Sequence, residues 1–187
     1  MRWAEGRHLG ERRDVDRAPF ILHPLEVAFL LSGRGYDDEV ISAGLLHDVL
    51  ERSGAVVEDI RERFGDRVAE MVAAVSEDAE IVDYGSRKAA LRDQVAHAGR
   101  DAQAVYAADK VAKARELRAQ AARAEASLAD PELHRKLEHY EASLEMLQRV
   151  ASSMPLVQQL AFELWALRNL PPPTSRRPAP HASRPVG

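Results

Sequence analysis

The 187-residue chain contains no cysteine, which excludes a disulfide framework, a thiolate zinc site and a cysteine nucleophile. No apolar run approaches the ~20 residues that a bilayer-spanning helix needs. The N-terminal Met1-Arg2-Trp3-Ala4-Glu5-Gly6-Arg7 lacks the apolar core of a signal peptide. A cytoplasmic protein with no membrane partner is the expectation. A net charge of −4 argues against general nucleic-acid binding, so a local basic cluster must hold any anionic ligand. There is also no strand alternation, no internal repeat and no glycine-rich phosphate loop. What remains is 45% hydrophobic and 30% charged residues, the mixture of a soluble globular domain with a sizeable core.

The patterning is helical throughout, so the expected fold is all-α: a single domain over 1–168 and a Pro/Arg-rich disordered tail over 169–187. A short basic helix over 3–13 ends in Arg12-Arg13, and a loop over 14–22 is tied down by Pro19 and Phe20-Ile21-Leu22. Pro24 suits a first helical position, which puts His23 at the cap and turns Leu25, Phe29 and Leu30 inward. Asp37 caps a helix that runs to Gly54, followed by short helices marked by Val57, Ile60 and Phe64, then by Val68, Met71, Val72 and Val75. Ser86 caps the next, residues 101–124 form a long Ala-rich helix, and Asp130-Pro131 opens another with Leu133, Leu137, Tyr140, Leu144, Leu147 and Val150 at three-four spacing. Pro155 begins the last, with Leu156, Leu160, Leu164 and Leu167 as its stripe.

Polar residues inside these apolar faces carry the chemistry. Within Leu45-Leu46-His47-Asp48-Val49-Leu50-Glu51 an imidazole and a carboxylate sit side by side in an almost wholly apolar helix. A buried ionised carboxylate costs several kcal/mol unless paired, and either a metal ion or an internal His–Asp hydrogen bond or salt bridge would satisfy it. Glu51 falls on the same side, three residues after Asp48. Asp109 lies among Ala102, Val105, Ala108 and Ala112 on the inward side of the Ala-rich helix. With His23, these residues offer two imidazoles and two carboxylates from three helices, a donor set that suits a first-row divalent ion such as manganese or iron. His8, His97, His134, His139 and His181 carry no metal-ligand signal.

The order His23…His47-Asp48…Asp109 resembles the H…HD…D signature of HD-domain metal-dependent phosphohydrolases. The words Arg12-Arg13, Pro19-Phe20-Ile21-Leu22-His23-Pro24, Leu45-Leu46-His47-Asp48, Phe64-Gly65, Arg87-Lys88 and Ala108-Asp109-Lys110 resemble the hydrolase domain of RelA/SpoT-type proteins, above all the stand-alone small alarmone hydrolases. That resemblance implies removal of the 3′-pyrophosphate from guanosine tetra- or pentaphosphate, a small-molecule nucleotide, with manganese as the usual metal. It makes His23, His47, Asp48 and Asp109 the ligands, puts Arg12 against the guanine and Arg13 on the nucleotide, and gives Arg87, Lys88 and Lys110 phosphate charge to neutralise.

Glu51 and Arg52 occupy the positions of the acidic pair that handles the attacking water, and Arg52 breaks that pair. Lys113 stands where the family has a substrate-contacting asparagine, and Phe20 where it commonly has a tyrosine. Two further readings are compatible with these departures: an HD phosphohydrolase acting on another nucleotide or phosphate ester, and a degenerate HD domain that only binds.

Overall fold

A computed structural model describes residues 2–13, 16–122 and 131–169. The described residues contain ten helical segments and no strand: α1 (Arg2–Arg7), α2 (Leu22–Ser32), α3 (Asp38–Leu46), α4 (Val49–Arg52), α5 (Val57–Phe64), α6 (Asp66–Val75), α7 (Tyr84–His97), α8 (Arg100–Ala122), α9 (Pro131–Ala151) and α10 (Pro155–Asn169). None of them is long and apolar enough to cross a membrane. The tail expected over 169–187 lies outside the described residues, except that Asn169 closes α10, and Asp130 lies outside them too.

The bundle is built around α8. Every residue from Ala102 to Ala112 is buried, because α2, α3, α6, α7, α9 and α10 all pack against this helix. Small side chains let that many neighbours approach it. The leucine stripe of α10 is buried as its spacing predicts, and each fully buried leucine contributes about 1.5–3 kcal/mol relative to exposure. Arg115 fastens this corner, bridging Glu26 of α2 at 3.3 Å and Glu163 of α10 at 2.8 Å. On the opposite side Arg67 of α6 joins Asp37, Glu39 and Asp101, linking α3, α6 and α8.

Local differences from the sequence expectation have identifiable causes. The first helix stops at Arg7; Arg12 instead forms an isolated antiparallel bridge with Pro19, stapled by Arg13 N–H to Ala18 O at 2.9 Å and Phe20 N–H to Glu11 O at 3.0 Å. His23 lies inside the first turn of α2, whose cap is Ile21. Val27, Ala28, Leu30 and Leu31 face the core there, while Phe29 is 74% exposed and Leu25 half-buried. That helix is apolar nearly all round, so its pattern does not single out an inward side. Asp37 caps α3 as expected, accepting from Glu39 N and Val40 N. The helix does not run on to Gly54: it ends at Leu46 and restarts at Val49, with Asp48 at φ −93°, ψ −4° between them. Asp83, not Ser86, caps α7, accepting the Ser86 N–H at 2.8 Å. In α9, Val150 is exposed and Leu144 half-buried.

Candidate metal centre and its cationic pocket

The break between α3 and α4 positions the site. His47 and Asp48 lie in it, and their side chains reach His23 of α2 and Asp109 of α8. One donor atom from each of His23, His47 and Asp109 falls within a sphere where all lie within 4.8 Å of one another. His23 Nε2 is 3.0 Å from Asp109 Oδ1 and 3.6 Å from Asp48 Oδ2. His47 Nε2 is 3.2 Å from Asp48 Oδ2 and 3.4 Å from Asp109 Oδ1. All four residues are buried. The structure thus brings together every residue of the sequence-derived ligand set.

Two observations test whether this cluster suits a cation. His47 donates Nδ1–H to Gly44 O at 2.7 Å, which leaves a lone pair on Nε2. That Nε2 is buried and makes no aligned hydrogen bond despite the nearby carboxylates. The second is charge. Burial pushes the His47 imidazolium down, yet Asp48 and Asp109 more than offset it and lift its pKa to about 10. His23 also moves up against burial, through Asp109 and Glu116. Burial opposes ionisation of both aspartates, but His47 and Lys113 hold Asp48 well below the carboxylate range, and Lys110 and Lys113 do the same for Asp109. Two buried carboxylates call for positive charge beside them; protons on the two imidazoles supply it, and a divalent ion can take their place with the Nε2 atoms and the carboxylate oxygens as donors.

Around the cluster the cations divide into two groups. Arg12, Arg13, Arg52, Lys113 and Lys136 line a cavity of about 170 Å³ that also touches Phe20, His23, Glu116 and Tyr140. Arg52 lies with its guanidinium 4.0 Å over the Phe20 ring, its Nε held by Glu11 at 2.9 Å. Lys113 Nζ is 3.0 Å from Asp109 Oδ1, and these buried carboxylates keep it protonated against its own loss of hydration. Arg13 is bonded to Asp16 and, at 3.1 Å, to Glu116.

Arg87 and Lys88 do not enter that cavity. Both pair with Glu77, Arg87 at 2.7 Å, and Arg87 also donates to Ile81 O and Val82 O. Lys110 is buried against Asp109 at 2.7 Å, its ammonium 4.4 Å over the Tyr106 ring.

Glu51 lies outside the cationic cavity, its Oε1 accepting the Glu77 N–H at 2.9 Å. Loss of hydration around its carboxylate, then the charge of Asp48, hold its pKa above the ordinary glutamate value. Glu51 opens onto a second cavity, of about 690 Å³, lined also by Ser76, Glu77, Arg87 and Gln94.

Sequence reasoning missed three participants. Glu116 contacts His23 Nδ1 at 3.2 Å; its signal was its spacing of seven from Asp109, which repeats the same helix face. Lys136 and Tyr140 reach the cavity from α9, and nothing local in the sequence marks them. Among the remaining histidines, buried His8 packs on Phe20 with tilted rings and centroids 4.9 Å apart, and His139 Nδ1 accepts from Arg92 at 2.9 Å; neither belongs to the donor cluster.

Comparison with known proteins places these observations in a family. The HD domain family model matches residues 1–134. The guanosine-3′,5′-bis(diphosphate) 3′-pyrophosphohydrolase of Aquifex aeolicus is 44% identical over 87 residues, 46% of this chain and 12% of that protein. The enzyme of that name designated MESH1 is 34% identical over 117 residues in Xenopus tropicalis, covering 62% of this chain and 65% of the relative, and 33% identical in Danio rerio, covering 63% and 66%. The chain therefore spans less than two thirds of the length of these curated relatives. The solved structure of a metazoan ortholog of SpoT that hydrolyzes ppGpp superposes with a TM-score of 0.76 at 25% identity, over 91% of this chain and 93% of that one. The 1.85 Å structure of lmo0812 from Listeria monocytogenes EGD-e gives 0.69 at 27% identity, over 80% and 98%. The family match runs through α2, the break between α3 and α4, and the part of α8 that holds Asp109, where the donor cluster lies, and the chain belongs to the HD-domain family.

Proposed function

We propose that this chain hydrolyses the 3′-pyrophosphate of guanosine tetra- or pentaphosphate, releasing GDP or GTP and pyrophosphate, with manganese held by His23, His47, Asp48 and Asp109. The observation that carries the reading is a cluster of four buried metal-type donors, one of which, His23, also lines a cavity walled by arginines and lysines. The named activities of the relatives support the substrate.

A bound manganese ion supplies Lewis acidity and brings the pKa of a coordinated water toward neutrality. The chain's own residues do the rest. Glu51, ionised and oriented by the Glu77 N–H, accepts the proton of the attacking water. Arg12 offers a flat cation to the guanine, and Phe20 carries the Arg52 guanidinium over the same cavity. Arg52, Lys113 and Lys136 neutralise polyphosphate charge. Arg87 and Lys88 act on Glu77 and so on the seat of Glu51, not on the phosphates. A nucleotide substrate and the cysteine-free chain fit a cytoplasmic setting, with neither nucleic acid nor membrane as partner.

A second reading, hydrolysis of other polyphosphorylated nucleotides by the same site, is favoured by one observation: Arg52 and Lys113 add two cations to the cavity at positions where the family has an acid and an amide. Manganese-supplemented turnover of guanosine tetraphosphate against a panel of phosphorylated nucleotides, with product identification, decides between them. Pyrophosphate and GDP as the fastest-formed products support the first. Asp48→Ala is expected to lose both bound metal and turnover while keeping its helical content; full activity in that variant, or active wild-type protein without metal by elemental analysis, refutes the metal mechanism.

A further inference from the structure

One carboxylate oxygen belongs to both halves of the site. Glu116 follows Asp109 by two helical turns of α8, so both acids look toward α2. Its Oε1 lies 3.2 Å from His23 Nδ1 and 3.1 Å from Arg13 Nη1. His23, 2% exposed, presents its other nitrogen to Asp109 and Asp48. Arg13 lines the cationic cavity and is steadied on its far side by Asp16. Nothing in the H…HD…D pattern involves residue 116.

We propose that Glu116 is a positioning residue through which the nucleotide pocket sets the metal affinity of His23. The proposal rests on the reading of His23 as a ligand. A neutral imidazole carries one N–H. Donating it from Nδ1 to a carboxylate fixes the tautomer, orients the ring and leaves a more basic lone pair on Nε2. Because the accepting oxygen is shared with Arg13, the strength of that hydrogen bond depends on where the guanidinium sits. A phosphate that draws Arg13 toward itself leaves Oε1 to His23 alone. Arg13 then touches no metal ligand and still tunes the metal centre, and the coupling is reciprocal as any binding linkage must be.

The test is calorimetric titration of Mn²⁺ into the metal-depleted 187-residue chain, with thermal unfolding as a control for folding. Glu116→Gln keeps the side-chain shape and removes the charge, and its Mn²⁺ Kd is expected to rise about 10–100-fold. Arg13→Gln is expected to shift the Kd by at least about twofold, the lower end of coupling between touching residues. The double variant should match Glu116→Gln alone, because Arg13 acts only through that oxygen. Glu116→Asp, which retains the charge, should recover part of the loss.

A folded Glu116→Gln protein with wild-type Mn²⁺ affinity overturns the inference and leaves the metal reading standing. Independent, multiplicative effects of the two substitutions overturn the link to Arg13. Should Glu116→Gln not fold, an unchanged Kd in Arg13→Gln overturns it as well. A wild-type chain that binds no Mn²⁺ removes the metal reading and this inference together.

Discussion

Gly44 of α3 packs directly against α2, three residues before His47, and replacing it by alanine tests how the separation of the two helices is set. A Cβ at this position would lie 2.5 Å from Leu31 Cδ1, 3.3 Å from Val27 Cγ1 and 3.8 Å from Ala28 Cα. Carbon atoms pack best about 3.5–4.0 Å apart, so Leu31 must retreat by about 1 Å or more. Leu31 and Val27 are both fully buried, which leaves α2 and α3 to separate. Overpacking of this kind costs about 1–3 kcal/mol. Alanine in a helix interior returns up to about 1 kcal/mol over glycine. The net expectation is a loss of about 1 kcal/mol, read as a fall in Tm of about 2–4 °C for a chain of this size.

Metal affinity should fall as well. The His23 and His47 rings stand 5.3 Å apart across this contact, and the Gly44 carbonyl accepts the His47 Nδ1–H. The assay is calorimetric unfolding together with Mn²⁺ titration, with Gly99→Ala as the comparison because a Cβ there meets nothing within 4 Å. A Gly44→Ala protein with raised Tm and unchanged Mn²⁺ affinity would show that propensity outweighs packing here and that the helix spacing is not fixed by this contact.

Two other outcomes follow from the site. Glu51→Gln should slow turnover by at least ~10²-fold while metal content is kept. The base works only when ionised and its pKa is held up by burial and Asp48, so wild-type kcat/KM should rise with pH through a limb above the ordinary glutamate range, a limb absent from the residual activity of the variant. Near-normal turnover in Glu51→Gln would assign the proton to another group. Lys113→Asn combined with Arg52→Asp removes two pocket cations and should raise the preference for guanosine tetraphosphate over other polyphosphorylated nucleotides; unchanged relative kcat/KM across the panel would clear both positions of any part in selectivity.

The sequence made the donors legible because their types conflict with their surroundings: a carboxylate in an otherwise apolar helical run needs a reason. Leu156, Leu160, Leu164 and Leu167, and the boundaries of α5 and α6, were equally readable from spacing and from Gly65. The interruption at His47-Asp48 was not, because the apolar pattern continues across it. Ion-pair partners were also hidden. Arg87, Lys88 and Lys110 read alike as phosphate-seeking cations, but Arg87 and Lys88 share Glu77 and Lys110 pairs with its neighbour Asp109. Glu116 was overlooked because acidic residues near a basic run are usually solvated, and its value appears only once Arg13 arrives from the N-terminal bridge.

The alanines of α8 bear on more than space-filling. Alanine has no side-chain rotamers to surrender on burial, so Ala102, Ala104, Ala107, Ala108 and Ala112 order the middle of the bundle without that entropic cost. They also have no alternative conformers into which a disturbance could be absorbed. Asp109 therefore inherits its position from backbone geometry rather than from a mosaic of adjustable side chains. A shift of α8 would carry Asp109, Lys113 and Glu116 together, as one body, past His23. In such a centre the relative placement of carboxylate, lysine and positioning acid is inherited as a unit.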